Sequence, residues 1–165
     1  MLCSGGVLIE KIVSGAQTGA DRAALDVAAE LGLAAGGWVP RGRRAEDGTV
    51  PQHYEGLVEA ESESYEDRTE LNVRDSDATV IFSFGPPTGG SALTVRLAHS
   101  SGRPFLVLDL EGSTTDEAVA SLRTWLAEVR PRVLNVAGPR LSREPRIAAA
   151  TARILRRVIR PAAVL

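Results

Sequence analysis

The stretch Ile12–Leu25, with the sequence IVSGAQTGADRAAL, contains the end of a strand, a glycine-rich turn and the start of a helix. Val7 to Ser14 has the apolar, β-branched character of a buried strand, and Gly15 to Gly19 is a tight turn. Small apolar residues then recur at helical spacing until Gly32, which ends the helix. A strand joined to a helix by a short turn is the unit from which parallel α/β sheets are built.

The same alternation continues along the chain and predicts a three-layer α/β domain with a mainly parallel, five-stranded sheet. The other four strands are predicted at Gly36–Val39, Ala78–Phe84, Phe105–Leu110 and Val133–Ala137. Right-handed crossovers favour the strand order 2-1-3-4-5, with a ligand crevice between strands 1 and 3. Residues 41–66 have no clear period and are predicted to be a long loop. Residues 1–165 are predicted to form one ligand-binding domain, with a loose N-terminus at residues 1–6.

Composition limits the classes of function. The chain has 165 residues and a formal net charge of −2, which does not favour a nucleic-acid-binding protein. Cys3 is the one cysteine, so neither a disulfide framework nor a multi-cysteine metal site is expected within one chain. We see neither a signal peptide nor a stretch long enough to cross a membrane, which predicts a cytoplasmic protein.

The turn after strand 1 leads into a helix N-terminus, where free N–H groups and the helix dipole favour an anion. It has neither the Gly-Lys-Ser/Thr element of a P-loop nor a dinucleotide-binding fingerprint. The same residues could equally form a structural turn in which Thr18 caps the helix and Asp21 complements its dipole. The pattern leaves both interpretations open.

The turn after strand 3, Pro86–Ser91, is predicted to face the first turn across the crevice. It offers backbone donors and hydroxyl groups suited to a phosphate, namely those of Thr88, Gly89, Gly90, Ser91 and Thr94. A rigid turn capped by Ser91 is the simpler alternative. Two adjacent glycines exceed what a cap requires, which favours the ligand-binding interpretation.

Polar side chains near the strand ends add to the predicted site. Arg41 and Arg140 follow strands closely, and guanidinium groups suit phosphates and oxyanions. Arg68, Asn72 and Asp75 fall on one face of a short helix. They could read the edge of a flat heterocycle or form a surface salt-bridge cluster, and spacing does not separate the two.

The sequence shows no catalytic constellation. It has no nucleophile elbow, no cysteine–histidine pair and no carboxylate spacing that marks an acid/base dyad. His53 and His99 are too few and too far apart for a zinc pattern. The residues therefore predict a binder of a small anionic molecule, with no catalytic and no metal-ligating side chains.

Five blocks carry a resemblance to a known family. They are Ile12–Leu25, Gly36–Gly48 (GGWVPRGRRAEDG), Arg68–Asp77 (RTELNVRDSD), Thr88–Thr94 (TGGSALT) and Leu134–Gly138 (LNVAG), which is followed by Pro139 and Arg140. In these blocks the chain resembles the bacterial molybdenum-cofactor carrier proteins. The resemblance implies a Rossmann-like fold, a homo-oligomer that is commonly a tetramer, and non-catalytic binding of the molybdenum cofactor (molybdopterin) for storage or for delivery to a molybdoenzyme.

The turns, the arginines and the matching blocks together give the expected cofactor-binding residues. These are Gly15, Gln17, Thr18, Gly19, Asp21, Arg22, Arg41, Gly42, Arg68, Asn72, Thr88, Gly89, Gly90, Ser91, Thr94, Asn135, Gly138 and Arg140.

The chain is also similar to the lysine-decarboxylase-like group, which implies an alternative function: a nucleotide-acting, phosphoribohydrolase-like enzyme or a nucleotide-sensing domain. The signature of those hydrolases is Pro-Gly-Gly-x-Gly-Thr-x-x-Glu. Here Ala92 and Leu93 replace its Gly-Thr pair, and Arg96 replaces its glutamate. An arginine cannot supply the carboxylate that the hydrolysis needs. A further departure is Ala16, where we expect relatives to have glycine at least as often as alanine. Alanine is tolerable there unless the residue needs a positive φ.

Overall fold

The computed structural model describes residues 8–159, so the predicted loose N-terminus and Cys3 lie outside the described residues. Within residues 8–159 the strands are β1 (Lys11–Val13), β2 (Ala34–Val39), β3 (Arg44–Ala45), β4 (Gly48–Thr49), β5 (Leu57–Glu59), β6 (Ala78–Ser83), β7 (Phe105–Asp109) and β8 (Val133–Ala137). The α-helices of the same residues are α1 (Ala20–Glu30), α2 (Tyr65–Arg74), α3 (Gly89–Ser101), α4 (Thr115–Val129) and α5 (Ile147–Val158).

Six of the strands form one parallel sheet in the order β5-β2-β1-β8-β6-β7. The short strands β3 and β4 form a separate antiparallel hairpin. Helix α5 packs against α1 and α4 in one layer, and α2 packs against α3 in the other. The predicted three-layer, Rossmann-like fold with a mainly parallel sheet is confirmed.

The predicted strand order 2-1-3-4-5 is wrong, because the last strand lies in the middle of the sheet. β8 pairs with β1 on one side and with β6 on the other. The Asp77 carboxylate accepts hydrogen bonds from the N–H groups of Arg132 (3.0 Å) and Val133 (2.8 Å), which fixes the start of β8 beside β6. The prediction was based on right-handed crossovers, which fix the hand of a connection and do not determine which strands are neighbours.

The predicted five strands omit β5, which lies within the segment expected to be a loop. This three-residue strand pairs with β2 at the edge of the sheet and is too short to show a hydrophobic period. The β3–β4 hairpin occupies part of the same segment. A small cluster of buried residues packs the hairpin against the rest of the domain, namely Ala16, Leu25, Val39, Ala45 and Val50.

The main core includes side chains from the central strands and from the layer of α1, α4 and α5. Ile12, Phe82 and Leu134 are fully buried, together with Leu126 and Leu155 of the helices. Burying each of these large side chains contributes about 1.5–3 kcal/mol. This packing holds the carboxyl ends of β1, β8 and β6 in a fixed arrangement.

None of the helices found between residues 8 and 159 is both long and apolar enough to cross a membrane.

Candidate functional site

A cleft of about 210 Å³ lies between the carboxyl ends of β1, β8 and β6 on one side and helices α2 and α3 on the other. Ligands of parallel α/β sheets bind outside the carboxyl ends of the strands. The cleft is lined by Gly15, Gln17, Asp21, Tyr65, Arg68, Thr69, Asn72, Thr88, Gly90, Ser91, Leu93, Thr94, Asn135, Val136, Ala137, Gly138, Pro139, Arg140 and Arg143. The two glycine-rich turns therefore meet at one cleft, although β8 separates their strands.

The N-terminus of α3 contributes backbone donors to this cleft. Thr88 precedes the helix without capping it through its side chain, whereas Ser64 and Thr114 cap α2 and α4 through their hydroxyl groups. The Ser91 and Ala92 N–H groups donate to the Thr88 carbonyl (3.1 and 3.3 Å), which leaves the N–H groups of Gly89 and Gly90 without an acceptor within residues 8–159. A Cβ on Gly90 would contact nothing within 4 Å, so the space on the side of Gly90 that a side chain would occupy is open.

Two buried polar atoms of the cleft lack a hydrogen-bond partner. Ser91 is 5% exposed, and its Oγ has no acceptor or donor within residues 8–159. Arg68 is 9% exposed, and its Nε is likewise without a partner there. An unsatisfied buried polar group costs roughly 1–3 kcal/mol, so both atoms would gain from a ligand in the cleft.

Three arginines give the cleft an excess of positive charge. A Cβ on Gly89 would lie 3.8 Å from Cζ of Arg143, which places that guanidinium beside the start of α3. Within residues 8–159, neither Arg140 nor Arg143 has a carboxylate oxygen within 4.0 Å. Arg68 lies 3.5 Å from Asp21. One carboxylate thus faces three guanidinium groups.

The Arg68–Asp21 pair is buried at the base of the cleft. Burial raises the pKa of the Asp21 carboxyl, although the nearby Arg68 guanidinium and the Gln17 N–H act to lower it. Burial also lowers the pKa of Arg68, but an arginine stays charged at neutral pH. Gly15 makes the approach of Arg68 possible, because a Cβ there would lie 2.5 Å from Cζ of Arg68.

The amides of the turn after β1 are largely occupied by side chains of the protein. The Ala16 N–H donates to Ser14 Oγ (3.2 Å), and the Gln17 N–H donates to Asp21 Oδ2 (3.3 Å). Gln17 in turn binds the hairpin, because its Nε2 donates to the Arg44 carbonyl (3.0 Å) and its Oε1 accepts from the Glu46 N–H (3.2 Å). The N–H groups of Ala16 and Gln17 therefore stabilise a structural turn and are not free to bind an anion.

Ala16 has a φ of +56°, so the position does need a positive φ. Alanine was expected to be tolerable there unless the residue needed a positive φ, and the structure shows that it does. The left-handed conformation costs a non-glycine residue roughly 1–2 kcal/mol. Ala16 offsets part of this cost because its methyl group is fully buried.

Six expected ligand-binding residues lie outside the cleft lining: Thr18, Gly19, Arg22, Arg41, Gly42 and Gly89.

The first three of these hold the loops together. Thr18 Oγ1 donates to the Glu46 carboxylate and accepts from the Leu141 N–H (3.1 Å). A Cβ on Gly19 would collide with the carbonyl of Pro139. Arg22 forms a bidentate pair with Asp47 at 2.7 and 2.8 Å.

The other three lie at the surface. Arg41 is exposed, and its closest carboxylate among the described residues is that of Glu63 at 4.0 Å. The Gly42 N–H donates to Glu59 Oε1 (2.6 Å). Gly89 is exposed at the start of α3, beside the cleft-lining Gly90.

The polar face of α2 is mostly bound to the protein. Asn72 accepts from the Trp38 N–H (2.8 Å) and donates to the Trp38 carbonyl (2.9 Å). Asp75 accepts from Nε1 of the same tryptophan (2.9 Å) and also binds Arg74. Of the three residues expected on this face, Arg68 alone has a buried polar atom without a hydrogen-bond partner within residues 8–159, and Arg68 lines the cleft.

The expected residues on the far side of the cleft have structural partners as well. Asn135 Nδ2 donates to Thr79 Oγ1 (3.2 Å), and Thr94 Oγ1 donates to the Gly90 carbonyl (3.0 Å). A Cβ on Gly138 would lie 2.6 Å from Cβ of Ala20, so glycine lets β8 approach α1.

Tyr65 lines the cleft and is absent from the expected site. Three guanidinium carbons lie near its ring centroid: Arg140 at 4.5 Å, Arg44 at 4.9 Å and Arg68 at 5.6 Å. The sequence signal for this position is Ser64, which caps α2 and makes Tyr65 its first residue. Residues 41–66 were predicted to be a long loop, which includes this tyrosine. Thr69, Leu93, Val136, Ala137, Pro139 and Arg143 also line the cleft without having been expected there.

In chemical terms, the cleft can hold an anion by backbone donors, a hydroxyl and guanidinium groups. Within residues 8–159, no group of three or more His, Cys, Asp and Glu side chains is placed to hold a metal ion.

A family model described as the circularly permutated YpsA SLOG family matches residues 12–159. The chain is also similar to a crystal structure described as that of a "putative molybdenum carrier protein" from Syntrophus aciditrophicus SB. The two share 47% identity with a TM-score of 0.87, over 90% of this chain and 93% of the other. No curated protein matches the chain.

Proposed function

Because the chain belongs to the circularly permutated YpsA SLOG family, we propose that it binds the molybdenum cofactor in the cleft and carries or stores it without catalysis. The similar crystal structure is that of a protein described as a "putative molybdenum carrier protein". The observation that carries the proposal is the meeting of unsatisfied donors in one cleft. These are the uncapped start of α3, Ser91 Oγ and Arg68 Nε, beside two arginines without carboxylate partners among residues 8–159.

The donors fit the phosphate end of the cofactor. A phosphate accepts hydrogen bonds from the first turn of a helix, where the dipole also favours negative charge. The Ser91 hydroxyl can donate to one of its oxygens, and the guanidinium groups of Arg140 and Arg143 can donate in pairs to others. The same groups suit other tetrahedral oxyanions, so inorganic phosphate is a suitable first probe.

The metal end needs no ligand from the protein. The cofactor holds molybdenum through its own dithiolene sulfurs, and it supplies redox chemistry to the enzyme that receives it. The described residues offer no metal-binding cluster. The cleft volume of about 210 Å³ is below the ~300–1,000 Å³ of sites that bury a drug-sized ligand, so we expect the cleft to hold one end of the cofactor.

Among residues 8–159, no contact favours the alternative of a nucleotide-acting hydrolase over the carrier. Arg96, at the position of the signature glutamate, is exposed on α3 and is not part of the cleft lining. Release of free base from nucleoside monophosphates would nevertheless point to the hydrolase, and tight nucleotide binding without turnover would point to a sensor.

The test is to load the purified protein with isolated cofactor and to measure bound pterin by fluorescence after oxidation. We expect wild-type protein to retain pterin through gel filtration, and Arg140→Ala or Arg143→Ala to retain at least tenfold less. Loss of one hydrogen bond to a charged group costs about 1.5–3 kcal/mol. Arg96→Ala is the matched control, because it removes an exposed arginine outside the cleft. Wild-type protein that retains no pterin would contradict the proposal.

Delivery to a molybdoenzyme, assembly into a homo-oligomer with a tetramer favoured, and a cytoplasmic location belong to the same proposal. Light scattering during gel filtration measures the mass of the assembly against the chain mass of 17.5 kDa. Recovery of activity in an apo-molybdoenzyme mixed with loaded protein measures delivery.

A further inference from the structure

The flat heterocycle of a phosphate-bearing pterin needs a surface in or beside the cleft. Asn72 and Asp75 were expected to read its edge, but the Asn72 amide is bound on both sides by the backbone of Trp38. The Asp75 carboxylate is bound by Trp38 Nε1 and by Arg74. A ligand ring would have to displace these contacts, so another group must hold it.

Tyr65 is the one aromatic residue that lines the cleft within residues 8–159. The Ser64 hydroxyl accepts from the N–H groups of Glu66 and Asp67, which fixes the start of α2 and therefore the position of Tyr65. Its ring is half-buried, and Arg140 lies 4.5 Å from the ring centroid. A guanidinium over an aromatic ring is held by attraction between the cation and the π system.

Arg140 belongs to both parts of the site. It lines the cleft with the donors of α3, and it contacts the ring of Tyr65. A guanidinium that lies on a ring keeps its N–H groups directed outward in its own plane, where they can bind a phosphate. The contact with Tyr65 therefore limits the freedom of Arg140 without using its donors.

We propose that Tyr65 and Arg140 form a stacking platform for the flat ring of the ligand, and that Tyr65 determines specificity for a heterocyclic phosphate over a simple one. This inference rests on the proposed function, because it requires the phosphate to bind at the start of α3. Stacking of a base on an aromatic side chain changes affinity by about 5- to 150-fold. The platform should supply a preference of that size.

The experiment compares two probes that share a phosphate: neopterin phosphate, which has a flat fluorescent ring, and glycerol 3-phosphate, which has none. Binding is measured by calorimetry for wild type, Tyr65→Leu and Tyr65→Phe, and quenching of pterin fluorescence reports stacking. We expect wild type and Tyr65→Phe to bind neopterin phosphate at least fivefold more tightly than glycerol 3-phosphate. Tyr65→Leu should lose that preference and the quenching, because its loss of affinity for neopterin phosphate should exceed any loss for glycerol 3-phosphate at least fivefold.

The outcomes separate the platform from the anion site. Tyr65→Leu that keeps both the preference and the quenching overturns the platform and leaves the anion site intact. Wild type that binds neither probe refutes the anion site, and the platform falls with it. Equal loss of both probes in Tyr65→Leu, with an unchanged thermal unfolding temperature, also overturns the platform, because Tyr65 would then position the phosphate donors only.

Discussion

Gly15→Ala is expected to remove Arg68 from its place beside Asp21. The new Cβ would lie 2.5 Å from Cζ of Arg68 and closer still to Nη1, so the guanidinium has to leave. The backbone itself offers little resistance, because Gly15 is not among the residues with a positive φ. The effect of this substitution therefore comes from a side chain 53 positions away in the sequence.

The size of the effect follows from the burial of the pair. Arg68 and Asp21 are at most 9% exposed, and removing one partner of a buried ion pair typically costs 3–5 kcal/mol. Asp21 keeps the hydrogen bond from the Gln17 N–H, and its raised pKa lets it take up a proton more easily. We therefore expect the lower end, about 3 kcal/mol, for Gly15→Ala.

Arg68→Ala removes the same partner and should also cost about 3 kcal/mol. In the Arg68→Ala background the overlapping atoms are gone, so adding Gly15→Ala should cost less than about 1 kcal/mol. The double-mutant cycle should then show a coupling of about 2–3 kcal/mol.

Urea unfolding followed by circular dichroism measures these differences. With a slope of about 1–3 kcal/mol per molar urea, a loss of 3 kcal/mol lowers the midpoint by about 1–3 M. Additive costs within about 0.5 kcal/mol would refute the reasoning, since Arg68 would then not be displaced by a methyl group on Gly15.

Three further predictions follow from single contacts. Ala16→Gly should change the free energy of unfolding, measured by thermal unfolding, by less than about 1 kcal/mol. Relief of the left-handed conformation contributes about 1–2 kcal/mol, which is opposed by loss of the buried methyl group (about 0.8 kcal/mol) and by added entropy of the unfolded chain (about 0.4–1 kcal/mol). A loss above about 2 kcal/mol would contradict the positive φ of +56°. Sulfate should bind about tenfold more tightly as pH falls through the raised pKa of Asp21, because protonation removes the negative charge beside Arg68 and Arg140. Asp21→Asn should abolish this pH dependence of the affinity measured by calorimetry. The same pH dependence in both proteins would exclude Asp21 as its source. Asp77→Ala should destabilise the protein by about 1–2 kcal/mol and increase hydrogen exchange at Val133. Asp77→Asn keeps an acceptor oxygen and should therefore lose less stability. Equal losses of stability in the two variants would show that the hydrogen bonds to β8 contribute little.

Local patterns predicted the elements better than their arrangement. The apolar run from Ala78 predicted β6, and the strand–turn–helix unit from Ile12 predicted β1 and α1. The position of β8 depends on contacts such as that of Asp77 with Val133, which are 56 residues apart and leave no periodic signal. Strand β5 has only three residues and lies within a segment without a period.

The candidate site divides along the same line. The composition of the turn before α3 predicted Thr88, Gly90 and Ser91, which do line the cleft. Residues whose side chains bind distant backbone could not be separated from ligand-binding residues by type or spacing. Asn72 is an example, because its partner Trp38 lies 34 positions earlier.

The most direct test of the anion site at the start of α3 is phosphate binding to Gly90→Asp and Gly90→Asn, measured by calorimetry beside wild type. Both substitutions place a side chain of the same shape in open space, so both proteins should fold and differ only in charge. The account predicts that Gly90→Asp binds phosphate at least tenfold more weakly than Gly90→Asn. Equal affinities in the two variants, both close to wild type, would contradict an anion site in front of α3.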